Sequence, residues 1–299
     1  MRALTVLRPG LLTTVQDRGR VGLAYLGVPR SGAADLPALA LANRLVGNDE
    51  AAAGLELTLT GATFRAEAAL MIAVTGAPAP VRVDGRGADV GLPLAVPAGA
   101  EVSVGPARAG LRTYLAVDGG VTVPPVLGSR STDTLSGLGP APLRRGDTVP
   151  VGEPYGVLAA VDVAPADDPG PVTLRVHPGP RAGWFTADAV GTLLSASYAV
   201  SPTSNRVGAR LTGPPLARAV DAELPSEGVV LGAVQVPADG QPLVFLADHP
   251  TTGGYPVIAV LDPADVPRAA QARPGTPVRF VPATGIDVNS DPGGLAGWT

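Results

Sequence analysis

The chain alternates short apolar runs with turn-forming residues, and no single periodicity persists for long. VRVD (Val81 to Asp84), EVSVG (Glu101 to Gly105) and TLRVH (Thr173 to His177) set apolar side chains at every second position, the period of a strand that buries one face. LMIAV (Leu70 to Val74), PLVFLA (Pro242 to Ala247) and PVIAVL (Pro256 to Leu261) are continuously apolar, as expected of strands covered on both sides. Helical signals are few. The best runs from Asp35 to Val46, with Asp35 as a cap, Pro37 in the tolerant first turn and Gly47 as the stop. A second begins after Phe185 with Thr186 as its cap and carries Val190, Leu193 and Leu194 on one side; a third, near Asp262 to Ala272, is interrupted by Pro267.

Between these segments stand 39 glycines and 33 prolines, spread along the chain and not gathered in one tract. That punctuation predicts a mainly β fold with a few helices, its short strands joined by turns. At 299 residues the chain is long enough for two domains, each with its own core. The stretch YGVLAAVDVAPADDPGP is small and acidic, with little to pack. It predicts a linker over residues 156–171 between a first barrel domain (1–155) and a second (172–283), leaving a tail at 284–299. Two mostly antiparallel barrels with accessory helices is the expected architecture. The internal echo of LTGATF (Leu59 to Phe64) in LTGPPL (Leu211 to Leu216) is too weak to establish a duplication.

Composition narrows the chemistry. All 22 basic residues are arginines, and the chain holds no lysine and no cysteine. A P-loop, a Schiff-base enzyme and a biotin or lipoyl carrier each need a lysine, so all three are excluded. Thiol nucleophiles, disulfides and cysteine-ligated metals are excluded as well. A formal net charge of −4 gives no basic footprint for nucleic acid. Arg8, Pro9 and Gly10 break the N-terminal apolar stretch, and no run is long enough to span a bilayer. A cytoplasmic location, with no membrane partner, is the expectation.

The polar residues that stand out lie in turn-rich segments. TTVQDRGRVG brings Gln16, Asp17 and Arg18 before two glycines, and VPRSGAAD supplies Ser31 and Asp35. Glu56 sits in the otherwise apolar GLELTL, where an unpaired buried charge is costly. It reads either as half of a structural ion pair with an arginine or as a site carboxylate. LGSRSTDTLSGLG (Leu127 to Gly139) gathers Arg130, Ser131, Thr132 and Asp133 between glycines. Hydroxyls, a guanidinium and free amides in one loop suit a phosphate or carboxylate, and a self-capped turn uses the same letters. The second half offers Ser204, Asn205, Arg206 and Arg210 in VSPTSNRVGARLTG, and Glu227 and Gln235 in LPSEGVVLGAVQVP. ADHPTTGGYP adds Thr251, Thr252, Gly253, Gly254 and Tyr255, whose paired glycines allow a ligand close to the backbone. His177 and His249 are the only histidines, each before a proline, which reads as a turn and not as a zinc site or a Ser-His-Asp triad.

In this order, GLLTTVQDRGRVG, SGAAD with NRLVGN, LAVDGGVTVPPVLGSRSTDT, SPTSNRVGARLTGPPL, SEGVVLGAVQVPADGQPL and TTGGYPVIAVL resemble the biotin-dependent carboxyltransferase family. Its members include KipA-like proteins, allophanate hydrolase subunit 2 and the C component of 5-oxoprolinase. The resemblance runs from about Leu7 to Phe280, departs from the pattern at Gly139-Pro140 and His249-Pro250, and excludes the C-terminal tail. It implies tandem cyclophilin-like β-barrel domains and an obligate partner, a KipI-like protein (the B component of 5-oxoprolinase), the pair working with a LamB/YcsF-type protein (the A component). With them the implied activity is the opening of 5-oxo-L-proline to L-glutamate with ATP and Mg2+. Two alternatives come with the same resemblance: carboxyl transfer to urea or a related amide from carboxybiotin on another chain, and a noncatalytic KipA-like regulator that binds a KipI-like kinase inhibitor.

Opening an unstrained lactam requires activation of its amide. Phosphorylation of the amide oxygen supplies that, and the charge on the moving phosphoryl group must be neutralised. Within the family motifs, Arg18, Arg130 and Arg206 are the candidate cations, and Asp17, Asp133 and Glu227 the candidate metal-binding or proton-handling carboxylates. Gln16, Ser31, Ser131, Thr132, Ser204, Asn205, Arg210, Gln235 and the Thr251 to Tyr255 run are candidates for substrate or nucleotide contacts.

Overall fold

The computed structural model describes residues 1–88, 90–154 and 171–283. The linker expected over 156–171 and the tail 284–299 therefore lie outside the described residues, apart from Pro171. Those described residues divide into two compact units: 1–22 with 30–154, and 23–29 with 171–283.

In the first unit the strands form two sheets around one core. The six-stranded sheet runs in the order Thr148–Pro150, Ala3–Arg8, Ala62–Ala66, Glu101–Val104, Val81–Val83, Arg86–Ala88. The five-stranded sheet runs Leu12–Gln16, Gly54–Thr58, Arg112–Val117, Leu70–Gly76, Leu94–Val96. Leu4, Val6, Phe64 and Val102 from the first meet Val15, Leu55, Ile72 and Leu115 from the second in the shared core. Each such side chain taken fully out of water contributes about 1.5–3 kcal/mol. The sheets face one another and share no paired strand among the described residues; a single bridge, Val121 with Val151, joins their ends, where the Thr122 amide donates to the Pro150 carbonyl at 2.9 Å. At the other end of the five-stranded sheet, Pro93 and Pro97 flank the end strand Leu94–Val96. A proline has no amide to donate to a further strand.

Helix α1 (Leu36–Leu45) covers the five-stranded sheet with Ala42, Leu45 and the following Val46 against Ala73 and Ala116. Its start is fixed as the sequence predicts, with the Asp35 carboxylate accepting from the Ala38 amide at 3.1 Å. Glu56 is the structural member of an ion pair. It lies 3.4 Å from Arg112 Nε, and its Oε2 also accepts from Tyr114 Oη at 2.8 Å and from the Ala34 amide at 3.0 Å. This buried node ties the 31–35 loop to the sheet. Burial, then the Glu56 charge, pushes the Tyr114 phenol well above its ordinary value.

The second unit closes into a seven-stranded barrel: Val172–Pro178, Val257–Leu261, Ala233–Gln235, Leu243–Phe245, Gly208–Thr212, Ser197–Val200, Pro277–Pro282. Its seam is the one parallel pairing among the described strands, Val172 to Val176 against Val278 to Pro282. Here the alternation of TLRVH is borne out, with Val172, Leu174 and Val176 buried. Tyr198 and Phe280 meet edge to face at 6.0 Å. Helix α2 (Ala187–Ser195) is capped by Thr186, whose hydroxyl accepts from the Ala189 amide at 3.1 Å. It buries Val190 and Leu193 and leaves Leu194 half-buried.

Two local expectations change. Pro267 does not interrupt the third helix. A 3-10 turn (Pro263–Asp265) leads into α3 (Val266–Gln271), which places Pro267 in the first turn, where its missing amide costs nothing. His177 is not a turn residue but part of the strand Val172–Pro178, with its ring pointing outward 3.7 Å from Asp262. The LTG echo has no structural counterpart: the strand Ala62–Ala66 begins after the first copy's glycine, and the strand Gly208–Thr212 ends before the second's.

Candidate functional site

In the first unit, three loops converge on Asp17. The strand Leu12–Gln16 delivers Gln16 and Asp17, the turn before α1 delivers Ser31, and the 129–133 loop folds back over both. Asp17 Oδ1 accepts from Ser129 Oγ (2.6 Å), Ser131 Oγ (2.5 Å) and the Gly19 amide (2.8 Å), and its Oδ2 accepts from the Arg130 amide (2.6 Å). Four donors occupy this carboxylate, which ties down the loop that carries Arg130. The Arg130 Nε donates to the Val123 carbonyl at 2.8 Å, and no carboxylate among the described residues pairs with its guanidinium.

The same loop carries unspent polar groups. Gln16 Nε2 and Ser31 Oγ both donate to the Thr132 carbonyl, at 3.0 and 3.1 Å, while Gln16 Oε1 and Thr132 Oγ1 are buried without a hydrogen-bond partner. Ser31 holds a left-handed backbone with φ of 54°, a conformation that costs a side-chain-bearing residue about 1 kcal/mol or more. Arg20, two residues beyond Arg18 and not among the expected candidates, is almost fully buried. It donates to the carbonyls of Val126 (3.2 Å) and Ser131 (2.8 Å), and its Nη1 has no partner. Gly139 makes room for it: a Cβ there would lie 2.0 Å from the Ser131 oxygen and 2.8 Å from Arg20 Nη2.

Other first-unit candidates lie apart from this node. Arg18 is half exposed and only loosely paired with Glu50, at 3.6 Å. Asp133 caps its own turn, accepting from the amides of Leu135 (2.9 Å) and Ser136 (3.2 Å) and from Ser136 Oγ (2.6 Å).

In the second unit, Glu227, Gln235 and Thr252 to Tyr255 come together because the ribbon Glu227–Gly228 pairs with Thr252–Gly253. Thr251 joins through its carbonyl, which accepts from the Val229 amide at 3.0 Å. Gln235 Nε2 donates to the Tyr255 carbonyl at 2.9 Å, and a Cβ on Gly253 would lie 2.7 Å from that nitrogen. Two arginines and a tryptophan missing from the expected set border this surface. Arg181 pairs with Glu227 at 2.7 Å and stands 5.7 Å from the Trp184 ring centre, and Arg218 stands 6.0 Å from that of Tyr255. Hydrogen bonds from Arg181 to Glu227 raise the Arg181 pKa further above its ordinary value.

Ser204 and Asn205 are turn residues, and Arg210 lies in the strand Gly208–Thr212: Asn205 Oδ1 accepts from the Val207 and Gly208 amides, and Ser204 Oγ exchanges hydrogen bonds with the Arg210 backbone. Arg206 is buried against Asp248, with two hydrogen bonds at 2.9 and 3.0 Å, so its charge is matched within the fold. Among the described residues no group of three or more His, Asp or Glu side chains is placed to hold a metal, and no helix is long and apolar enough to cross a membrane.

The family described as carboxyltransferase domain, subdomain A and B, matches residues 26–282. The chain is similar to the C component of Escherichia coli 5-oxoprolinase, 40% identical over 285 residues that cover 93% of this chain and 90% of that one. Among solved structures it resembles the protein designated TTHA0988, 38% identical with a TM-score of 0.85 over 94% of this chain. It also resembles the Kluyveromyces lactis urea amidolyase, 30% identical with a TM-score of 0.88 over 94% of this chain. The chain spans 55% of the first of these solved proteins and 19% of the second.

Proposed function

The chain belongs to the carboxyltransferase family of subdomains A and B, and on that premise we propose that it is the C component of an ATP-dependent 5-oxoprolinase complex. In this reading it works in the cytoplasm with a KipI-like partner and a LamB/YcsF-type partner to open 5-oxo-L-proline to L-glutamate. The observation that carries the reading is the 40% identity to the C component of the Escherichia coli 5-oxoprolinase, extending over 90% of that relative.

The arrangement of charges divides the labour. The carboxylates of Asp17 and Asp133 are filled by internal donors and that of Glu227 by Arg181. They do not fit a Mg2+ site, and we place Mg2+ and the nucleotide on the partner proteins. What this chain offers is donors. Arg130, anchored at its amide by Asp17 and unmatched at its guanidinium, is positioned to meet an anionic phosphoryl oxygen.

Coexpression with the two partner proteins and an assay of 5-oxoproline-dependent ATP hydrolysis tests the reading. Stimulation by 5-oxoproline is expected, with Arg130→Ala lowering kcat/KM by about tenfold or more while the protein stays folded. Absence of stimulation in the wild-type complex overturns it. A second reading has a specific observation behind it, since the same domain stands within a urea amidolyase. Carboxyl transfer would then need carboxybiotin carried on another chain, because this one has no lysine to biotinylate.

A further inference from the structure

Two arginines on one surface of the second unit are built alike and balanced differently, and from that difference we propose that Arg218 and Tyr255 form a binding site for the carboxylate of a small planar amide. Arg181 stands over Trp184 and spends its fork on Glu227, with three contacts of 2.7 to 3.3 Å. Arg218 stands over Tyr255 in the same way, 6.0 Å from the ring centre, and donates once, from Nη2 to the Val236 carbonyl at 2.7 Å. No carboxylate among the described residues pairs with it, and its Nε is buried without a hydrogen-bond partner. A guanidinium partly withdrawn from water gains most from an ionised acceptor that matches its planar fork. The chain supplies that acceptor to Arg181 and withholds it from Arg218.

Backbone contacts hold the parts in place. Phe185 bridges Arg218, and the Trp184 carbonyl accepts from the amides of Ala219 (2.8 Å) and Val220 (3.3 Å). Gln235 holds the Tyr255 carbonyl, and the bare Gly253 permits that contact. Tyr255 is 47% exposed, leaving aromatic surface on which a flat amide can lie while its carboxylate reaches Arg218. The choice of a lactam as the amide rests on the oxoprolinase reading; the preference for a carboxylate does not.

The test is ligand-observed NMR titration of the full chain with 5-oxo-L-proline, with N-acetylglycine as an open-chain amide carboxylate, and with 2-pyrrolidinone, the same lactam without its carboxylate. Both carboxylates are expected to bind, and 2-pyrrolidinone about tenfold or more weakly. Arg218→Gln should remove the carboxylate advantage and Arg218→Lys restore part of it. Tyr255→Leu, at an exposed position, should weaken all three ligands; it decides the matter if Arg218→Gln does not fold. Failure of both carboxylates to bind the wild-type chain, or equal binding by Arg218→Gln, overturns the site. The oxoprolinase reading fails separately, through loss of 5-oxoproline-dependent ATP hydrolysis in the wild-type complex.

Discussion

Replacing Asp17 by alanine removes the acceptor for four donors at once, the hydroxyls of Ser129 and Ser131 and the amides of Gly19 and Arg130, all at 2.5 to 2.8 Å. The serines can recover part of the loss, because Ser129 Oγ already bonds Ser131 Oγ at 2.9 Å and receives the Ser131 amide at 3.0 Å. The two backbone amides have no such substitute. At about 1–3 kcal/mol for each buried donor left unmade, with a smaller contribution from the hydroxyls, the cost is about 3–5 kcal/mol. For a unit of this size that lowers Tm by roughly 10 °C. Asp17→Asn separates loop anchoring from stability. An amide oxygen at the Oδ1 position keeps three of the donors, but the NH2 then confronts the Arg130 amide, so Asn should cost about 1–3 kcal/mol and loosen residues 129–133 selectively. Thermal unfolding by circular dichroism measures the first effect, and hydrogen exchange of a peptide covering 129–133 measures the second. A Tm for Asp17→Ala within about 2 °C of wild type would refute the account of the loop, since that corresponds to less than about 1 kcal/mol.

Arg206→Ala should destabilise the second unit by about 3–5 kcal/mol, because it takes two hydrogen bonds and an opposite charge from the buried Asp248 carboxylate; a loss of activity with unchanged stability would instead mark Arg206 as a ligand-binding cation. Gly139→Ala is expected to lower the stability of the first unit, since φ is 85° and the new Cβ would lie 2.0 Å from the Ser131 oxygen; an unchanged melting curve would mean the loop yields freely. The protein should also weaken in alkali. Burial raises the Tyr198 phenol to about 12 from an ordinary 10.0, and that of Tyr114 in the same direction. The folded state thus keeps protons that the unfolded chain releases, and stability is full below pH 10 and declines as pH climbs toward 12. Unfolding followed by tyrosinate absorbance checks this, and Tyr198→Phe should flatten the slope. At the acid end burial opposes the charge on Asp265, but the Arg175 hydrogen bonds and charge prevail and hold its pKa below 3.8. Its stabilisation is present above that value and is lost as pH falls through the lower, folded one; Arg175→Met should remove that acid limb.

Periodicity made the elements legible. Alternation located Val172–Pro178 and Glu101–Val104, and capping letters located α1 to within a residue or two and the start of α2, because strand pleat and helix capping are set by neighbours in sequence. Pro267 and His177 were misplaced by the same local logic. A proline is equally at home before a helix, inside its first turn or at the end of a strand, and only the surrounding pairing selects among these.

At the site, local letters identified the loops but not the role of each charge. Asp17, Arg130 and Arg206 look alike as charged residues in glycine-rich turns, yet one is saturated by four donors, one is unmatched and one is locked to Asp248. Arg181, Trp184 and Arg218 lie outside every quoted motif, and Arg20, inside GLLTTVQDRGRVG, is overshadowed there by Asp17 and Arg18. The RAGW run, which sets a rare tryptophan three residues after an arginine, was the one local hint.

The sequence alone determined that all permanent positive side-chain charge rests on arginine and that this chain carries no biotin of its own, because those follow from which functional groups exist. Tertiary structure decided which of those arginines has charge to spare. A guanidinium is neutralised by whatever lies within a few ångströms, and Glu227 stands 46 residues from Arg181 and Asp248 stands 42 from Arg206. Only the pairing of distant strands sets those distances.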